Sequence, residues 1–237
     1  MDEWKYSPSA DQGLPPFASL KSLKREPGLV SFLLQMFWST TGLLYMKIVH
    51  RLRIRGLEYL PKAAPFVLVS NHASHLDTVA LVSAIPAKLR SQSYPIAAGD
   101  HFFHTKRHTF FAAMFLNALP MWRRQAVGHA LNDLRAKLLT SETIFILFPE
   151  GTRSRNGTMG AFKPGIGKLV SETQIPVIPV YVDGTFNAFP AGAKLPRPAR
   201  VSLTFGPALS FETTPNTRDG WRAAGETLRN AVAALHP

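Results

Sequence analysis

The chain predicts an α/β fold: a mixed, largely parallel sheet covered by helices, preceded by an N-terminal membrane-associated helix. Three observations carry this expectation. From residue 54 onward, short runs of strand length alternate with longer amphipathic segments, the pattern of helices packed on a sheet. Two runs, Phe66-Val67-Leu68-Val69 and Thr143 to Phe148, are apolar throughout or nearly so, as in strands buried on both faces of a parallel sheet. Ahead of them, Pro27 to Met46 carries no charge at all. These features divide the chain into an arm and membrane-associated helix over residues 1–50 and a single α/β domain over residues 51–237.

Residues 1–27 are rich in Ser, Pro and charge and read as a loosely ordered arm with a short helix near Phe17 to Lys24. The uncharged stretch that follows is long enough to cross a bilayer. Ser31, Gln35, Ser39 and Gly42 recur along it every three or four residues and give the helix a polar stripe. Lys21, Lys24 and Arg25 stand before it, and Lys47, Arg51, Arg53 and Arg55 after it. Basic flanks at both ends suit a helix lying in an anionic interface. A full span and a buried core helix are the two other readings of the same stretch. Asp2 and Glu3 are foreign to a secretory leader, and no small-residue cleavage site follows.

Ile54 to Leu60 reads as a short strand ended by Pro61, and Phe66 to Ser70 as the next. A helix beginning around Thr78 ends near Pro86, and Pro95 to Ala98 forms a short strand. Asp100 opens a helix rich in aromatic residues (Phe102, Phe103, Phe110, Phe111, Phe115), which packs in the core or forms a second membrane-facing surface. Ala118 to Trp122 is a strand. Val127, Leu131, Leu134 and Leu138 recur at helical spacing. Thr143 to Phe148 is a buried strand, and Phe162 to Ser171 a helix in which Gly165 and Gly167 permit close packing. In the strand from Pro176 to Val182, the two prolines point to an irregular or edge position. Gly184 to Pro198 is a loop, Val201 to Phe205 the last strand, and Arg218 to Leu235 the last helix.

Composition narrows the chemistry. The 237 residues include no cysteine, which excludes disulfides, thiolate metal sites and a cysteine nucleophile. Lys and Arg number 27 against 15 Asp and Glu, a formal charge of +12 that favours anionic partners: acidic lipid, phosphorylated small molecules, an acidic carrier protein or nucleic acid. No RNA-recognition or zinc-finger signature accompanies the charge, and nucleic acid is not expected as a partner.

Between the buried strand at Phe66 and the helix after it lies Asn71-His72-Ala73-Ser74-His75-Leu76-Asp77. A polar cluster at the end of a strand is where α/β folds place their chemistry. A neutral imidazole accepts a proton from a hydroxyl, and a carboxylate on its other nitrogen fixes the tautomer and stabilises the imidazolium. Five residues of ideal helix turn through about 500°, leaving two side chains roughly 140° apart. A His72–Asp77 pair therefore requires a loop running into a first helical turn. Ser74-x-x-Asp77 also reads as a capping box. His72, His75 and Asp77 together could ligate a metal, but no second cluster of ligands completes the set.

The turn Pro149-Glu150-Gly151-Thr152-Arg153 ends the second buried strand in the same way, and Arg123 ends a third. If these strands are parallel neighbours, one rim carries His72, Asp77, Arg123, Glu150 and Arg153. Gly151 permits a sharp turn, and Arg153 and Arg123 offer planar forks suited to phosphate. A base beside a phosphate patch points to group transfer onto a phosphorylated alcohol. The rival readings are a non-catalytic basic module on acidic membranes and a metal-dependent hydrolase.

Asn71-His72-x-Ser74-x-x-Asp77 followed by Phe148-Pro149-Glu150-Gly151-Thr152-Arg153-Ser154 resembles the glycerolipid acyltransferase family, typified by lysophosphatidic acid acyltransferases. The resemblance spans about residues 50–210 and includes Leu119 to Arg123 and Ile175 to Val180. Asn117 stands where the family usually has Gly, and Trp122 where Asp is common. The resemblance implies transfer of an acyl group from acyl-CoA or acyl-carrier protein to the free hydroxyl of a lysophospholipid. In that scheme His72 is the general base and Asp77 orients it. Glu150, Gly151, Thr152 and Arg153 shape the acceptor site, and Arg123 helps hold phosphate. No metal and no cofactor beyond the acyl donor are implied, and the expected location is the cytoplasmic face of the inner or cell membrane.

Overall fold

The structure is a computed structural model that describes residues 13–23, 25, 28–99, 103–121 and 127–237. The expected residues Asp100, Phe102, Trp122 and Arg123 lie outside these, as do Lys24 and the first twelve residues of the arm. The elements in order are α1 (Pro16–Ser19), α2 (Leu29–Ile48), β1 (Arg53–Arg55), β2 (Phe66–Ser70), α3 (Leu76–Ala84), α4 (Ala87–Arg90), β3 (Ser93–Ala98) and α5 (Lys106–Met114). They continue with β4 (Leu119–Met121), α6 (Val127–Thr140), β5 (Ile144–Leu147), α7 (Gly165–Val170), β6 (Val177–Asp183), α8 (Thr185–Ala188), β7 (Ser202–Phe205) and α9 (Arg218–Ala233).

The seven strands make one sheet in the order β1-β7-β6-β2-β5-β3-β4. Every neighbouring pair is parallel except β6–β7. The expected mixed, largely parallel sheet is what forms. Alternation along each strand sends residues to opposite faces. Phe66, Leu68, Ile144, Ile146, Ile178 and Val180 face α3, where Leu76, Ala80 and Leu81 meet them. Val67, Val69, Phe145 and Val177 face the other way, onto Leu134 and Leu138 of α6, Ile166 and Leu169 of α7 and Leu228 of α9. The continuous apolar runs of β2 and β5 are thus explained by helices on both sides. Gly167 of α7 lies against the backbone of Trp221 in α9, a contact that leaves no room for a Cβ.

Several elements differ from expectation for local reasons. The first strand is only Arg53–Arg55, because Gly56, at φ 72°, turns the chain into a 3-10 turn over Leu57–Tyr59. A Cβ at Gly56 would collide with the Phe205 carbonyl. Helix α5 starts at Lys106, where the Thr105 hydroxyl accepts the His108 N–H. Helix α7 starts at Gly165, since Pro164 disfavours helix in the residue before it. Strand β6 is internal, not an edge. Pro179 is tolerated because its carbonyl accepts the Gly206 N–H while its missing donor falls where β7 has ended.

Helix α2 lies outside α3 and is turned opposite to a helix of the soluble core. Gln35, Ser39 and Met46 are its buried residues, and Gly42 packs on Val79 and Ser83 of α3. Leu29, Val30, Phe32, Leu33, Met36, Phe37, Leu44 and Ile48 are exposed. The polar stripe therefore faces the protein, and the apolar face points away from it. Trp38 joins α2 to α5 through edge contacts with Phe111 and Phe115, at ring-centroid distances of 5.2 and 5.6 Å. The aromatic segment is split in role: Phe103 is buried, whereas Phe110 and Phe111 are exposed beside α2.

Candidate active site

Strands β2 and β5 are parallel neighbours in register, Phe66 opposite Ile144 and Val69 opposite Leu147. Their carboxyl ends open on one rim, the place where open α/β sheets bind ligands. The His72 loop and the Glu150 turn meet there.

Asn71 roots the first loop. Its carboxamide donates to the Val182 carbonyl at 2.9 Å and accepts the Val182 N–H at 2.8 Å, continuing the β2–β6 ladder with a side chain. The chain then leaves the sheet as a loop and enters α3 at Leu76, as a His72–Asp77 pair requires. His72 Nδ1 stands 2.8 Å from Asp77 Oδ2. That oxygen also accepts the N–H groups of Ala73 and Ser74, each at 2.8 Å. Asp77 thus pairs with His72 and also reaches back to the Ser74 N–H, but the capping box is incomplete: the Ser74 hydroxyl accepts the Leu76 N–H, and the residue before the helix is His75, with no side-chain cap. With the carboxylate accepting, the neutral ring carries its proton on Nδ1 and keeps the lone pair of Nε2 free. Nε2 has no partner among the described residues.

Three further contacts fix the imidazole. Phe148, the residue after β5, stacks on the ring with centroids 4.0 Å apart and planes 19° from parallel. The Ser154 N–H donates to the His72 carbonyl at 2.8 Å. The His72 N–H donates to Glu150 Oε1 at 2.8 Å, while Glu150 Oε2 accepts the Gly160 N–H at 2.9 Å. Glu150 is buried, and loss of solvent pushes its carboxyl above the usual carboxylate range; the two N–H donors oppose that shift. Both of its oxygens thus accept main-chain N–H groups, and Glu150 ties the His72 loop to the chain at Gly160.

A cavity of about 300 Å³ lies beside the imidazole. His72, Thr78, Phe148, Gly151, Thr152 and Arg153 form part of its wall, with the end of β3 from Pro95 to Ala98 opposite. The Arg153 guanidinium is half-buried and has no hydrogen-bond or ion-pair partner among the described residues. Gly151 adopts φ 72°, a backbone conformation that calls for glycine, and the Lys163 ammonium lies against it. His75 also lines the cavity but does not share the Asp77 carboxylate. Among the described residues no three His, Asp or Glu side chains gather as a metal-ligand set. Arg123 lies outside the described residues, and so does any contact it makes. Sequence reading missed the anchoring by Asn71, the stacking by Phe148 and the proximity of Lys163. Asn71 and Phe148 stand inside the two quoted motifs, whereas the approach of Lys163 to Gly151 has no local signal in the sequence.

Comparison with known proteins follows this geometry. A family model described as Acyltransferase matches residues 51–183, more than half of the chain. The chain belongs to the acyltransferase family. It is 28% identical over 204 residues to a 1-acyl-sn-glycerol-3-phosphate acyltransferase alpha of Mus musculus, covering 81% of this chain and 67% of that protein. The Homo sapiens protein of the same description is 32% identical over 148 residues, 58% of this chain and 48% of the relative. A chloroplastic 1-acyl-sn-glycerol-3-phosphate acyltransferase of Brassica napus is 32% identical over 144 residues, 60% of this chain and 40% of the relative. The match thus spans about two thirds of the mouse protein and half or less of the other two. The crystal structure of the lysophosphatidic acid acyltransferase PlsC from Thermotoga maritima shares the fold, with a TM-score of 0.64 at 22% identity over 86% of this chain and 78% of that one.

Proposed function

We propose that this protein moves an acyl group from a thioester, acyl-CoA or acyl-carrier protein, to the free hydroxyl of lysophosphatidic acid, giving phosphatidic acid. The observation that carries the reading is His72, paired through Nδ1 to a buried carboxylate, beside a cavity that also takes in Arg153, with neither Nε2 nor the guanidinium partnered among the described residues. Arg153 binds the acceptor phosphate and brings the neighbouring hydroxyl to His72. Nε2 takes the hydroxyl proton as the oxygen attacks the thioester carbonyl, and Asp77 stabilises the imidazolium. The tetrahedral intermediate collapses, its carbon–sulfur bond breaks, and the departing thiolate takes the proton back from Nε2. A thioester is activated already, so the step needs neither a covalent enzyme intermediate nor a metal. The names of the relatives support the same acceptor.

The reaction takes place at an anionic membrane surface, on the cytoplasmic face of the inner or cell membrane. Helix α2 is 20 residues long, with mean hydropathy 1.3 over its most apolar window, enough to cross a bilayer. It is instead bound along its length to the domain, by Gly42 on α3, Met46 in the core and Trp38 on α5. A helix held that way lies in the interface with its apolar face in lipid. The test is an acceptor and donor screen with the full chain in detergent, products read by mass spectrometry. Phosphatidic acid formed from lysophosphatidic acid, with no acylated product from neutral or choline-bearing lysolipids, is the expected result. Equal turnover of a neutral acceptor would remove the role given to Arg153.

A further inference from the structure

A second cavity, of about 220 Å³, lies between α2, α3, α4 and the end of α5. Gln35 lines it. This side chain is only 8% exposed, yet neither its amide nitrogen nor its oxygen has a hydrogen-bond partner among the described residues. A buried carboxamide with both ends unmet is costly and calls for an explanation. Arg90, Asn117, Ser39 and Ser93, four of the other polar residues of the wall, have their side chains engaged elsewhere. Arg90 donates to the carbonyls of Ile85 at 2.8 Å and Ser83 at 3.2 Å. The Asn117 amide donates to Ser91 and Ser93 carbonyls, and its oxygen accepts from Arg25. The Ser39 hydroxyl donates to the Met36 carbonyl. Gln35 therefore faces the cavity as a donor and an acceptor side by side, and no carboxylate lines the wall.

The remaining wall is largely apolar, and at the α2 side it runs out through Phe32 and Met36, which are 41% and 52% exposed. On the side toward His72, Leu116 lines both this cavity and the one beside the imidazole. The gap between α2 and α3 at Gly42 and Val79 holds about 10 Å³, no more than one water probe occupies. The cavity thus opens on the apolar face of α2.

We propose that this cavity binds a neutral glyceride, an acyl ester with a free hydroxyl on the glycerol, of the monoacylglycerol class. The amide N–H of Gln35 donates to the ester carbonyl and its oxygen accepts the hydroxyl proton. The acyl chain leaves past Phe32 and Met36 into the hydrocarbon beside α2. A phosphate monoester fits poorly, because the one arginine of the wall is turned onto two backbone carbonyls. The site is separate from acyl transfer and does not depend on the reading of His72.

The test uses the full chain in maltoside micelles with a monoacylglycerol carrying a diazirine in its chain, and peptide mass spectrometry after illumination. Saturable labelling at Phe32, Met36, Phe115 and Leu116, displaced by monooleoylglycerol, is expected. Gln35→Leu should lower the displaceable label at least tenfold while acyl transfer continues. Ala87→Phe, which narrows the cavity from the exposed end of α4, should do the same without altering the buried amide. Label spread evenly over the exposed face of α2, or unchanged in both variants, would mean that the cavity holds water only. Displacement by lysophosphatidic acid as effective as by monooleoylglycerol would overturn the assignment to a neutral ligand.

Discussion

Replacing Asp77 by Asn tests the proposed chemistry with little change of shape. Oδ2 accepts two main-chain N–H groups and His72 Nδ1, so the amide must present its oxygen to all three. Its nitrogen then takes the place of Oδ1, which is buried and unpartnered. A buried donor left unmet costs about 1–3 kcal/mol. At about 2–4 °C per kcal/mol for a chain of this size, Tm should fall by roughly 2–12 °C. The tautomer survives, because His72 still donates to an oxygen. What disappears is the negative charge facing the imidazolium. With 2.8 Å between nitrogen and oxygen, the charge centres lie roughly 4 Å apart, worth about 4 kcal/mol at an effective dielectric of about 20. Solvent at the cavity mouth takes part of that, so kcat should fall by roughly 10²–10³, at about 1.4 kcal/mol per decade. The assay is thiol release from acyl-CoA with saturating lysophosphatidic acid, alongside a melting curve. If kcat stayed within about threefold of the parent in a folded protein, Asp77 would be a loop cap alone, and His72 would not become charged in the rate-limiting step.

Arg153→Ala should raise the acceptor KM at least about tenfold, since a desolvated charge-assisted bond is worth about 1.5–3 kcal/mol, and Arg153→Lys should restore part of it. A selective rise in the donor KM would move the guanidinium to the thioester site. Glu150 supplies a pH test. Its folded-state carboxyl is raised by burial above the ordinary 4.5, so its contribution to stability is complete below 4.5 and is lost as pH rises through the folded value. The stability of the parent relative to Glu150→Gln should therefore improve as the pH is lowered from 7 toward 5. Denaturant titrations showing a constant or opposite difference would remove burial as the cause. Changing Phe32, Leu33 and Phe37 together to Ser should abolish flotation with anionic liposomes and leave Tm nearly unchanged, because these side chains are exposed. Loss of Tm with retained flotation would reverse the orientation given to α2.

The site was legible where sequence and local physics coincide. Phe66 to Ser70 is an uninterrupted run bounded by Asn71, and the strand occupies those residues. The spacing of His72 and Asp77 called for a loop entering a helix, and that is the geometry found. Periodicity revealed the stripe of Gln35, Ser39 and Gly42 but carries no sign: it tells that α2 has two faces, not which one meets protein. The internal position of β6 was hidden by Pro179, whose tolerance depends on where β7, more than twenty residues later, stops. The burial of Glu150 was hidden for a similar reason, since Gly160 supplies one of its donors and His72 the other.

That last arrangement bears on how the molecule opens. One carboxylate holds the main chain of two loops that no strand pairing connects, and Ser154 adds a third bond from the same turn. Segments tied in this way separate as a unit. The amide protons of His72, Ser154 and Gly160 should exchange with deuterated solvent at a common free energy of opening, and Glu150→Gln should accelerate the three together while the β2 amides keep their protection. The proposed base would then be only as durable as a glycine eighty-eight residues further along the chain.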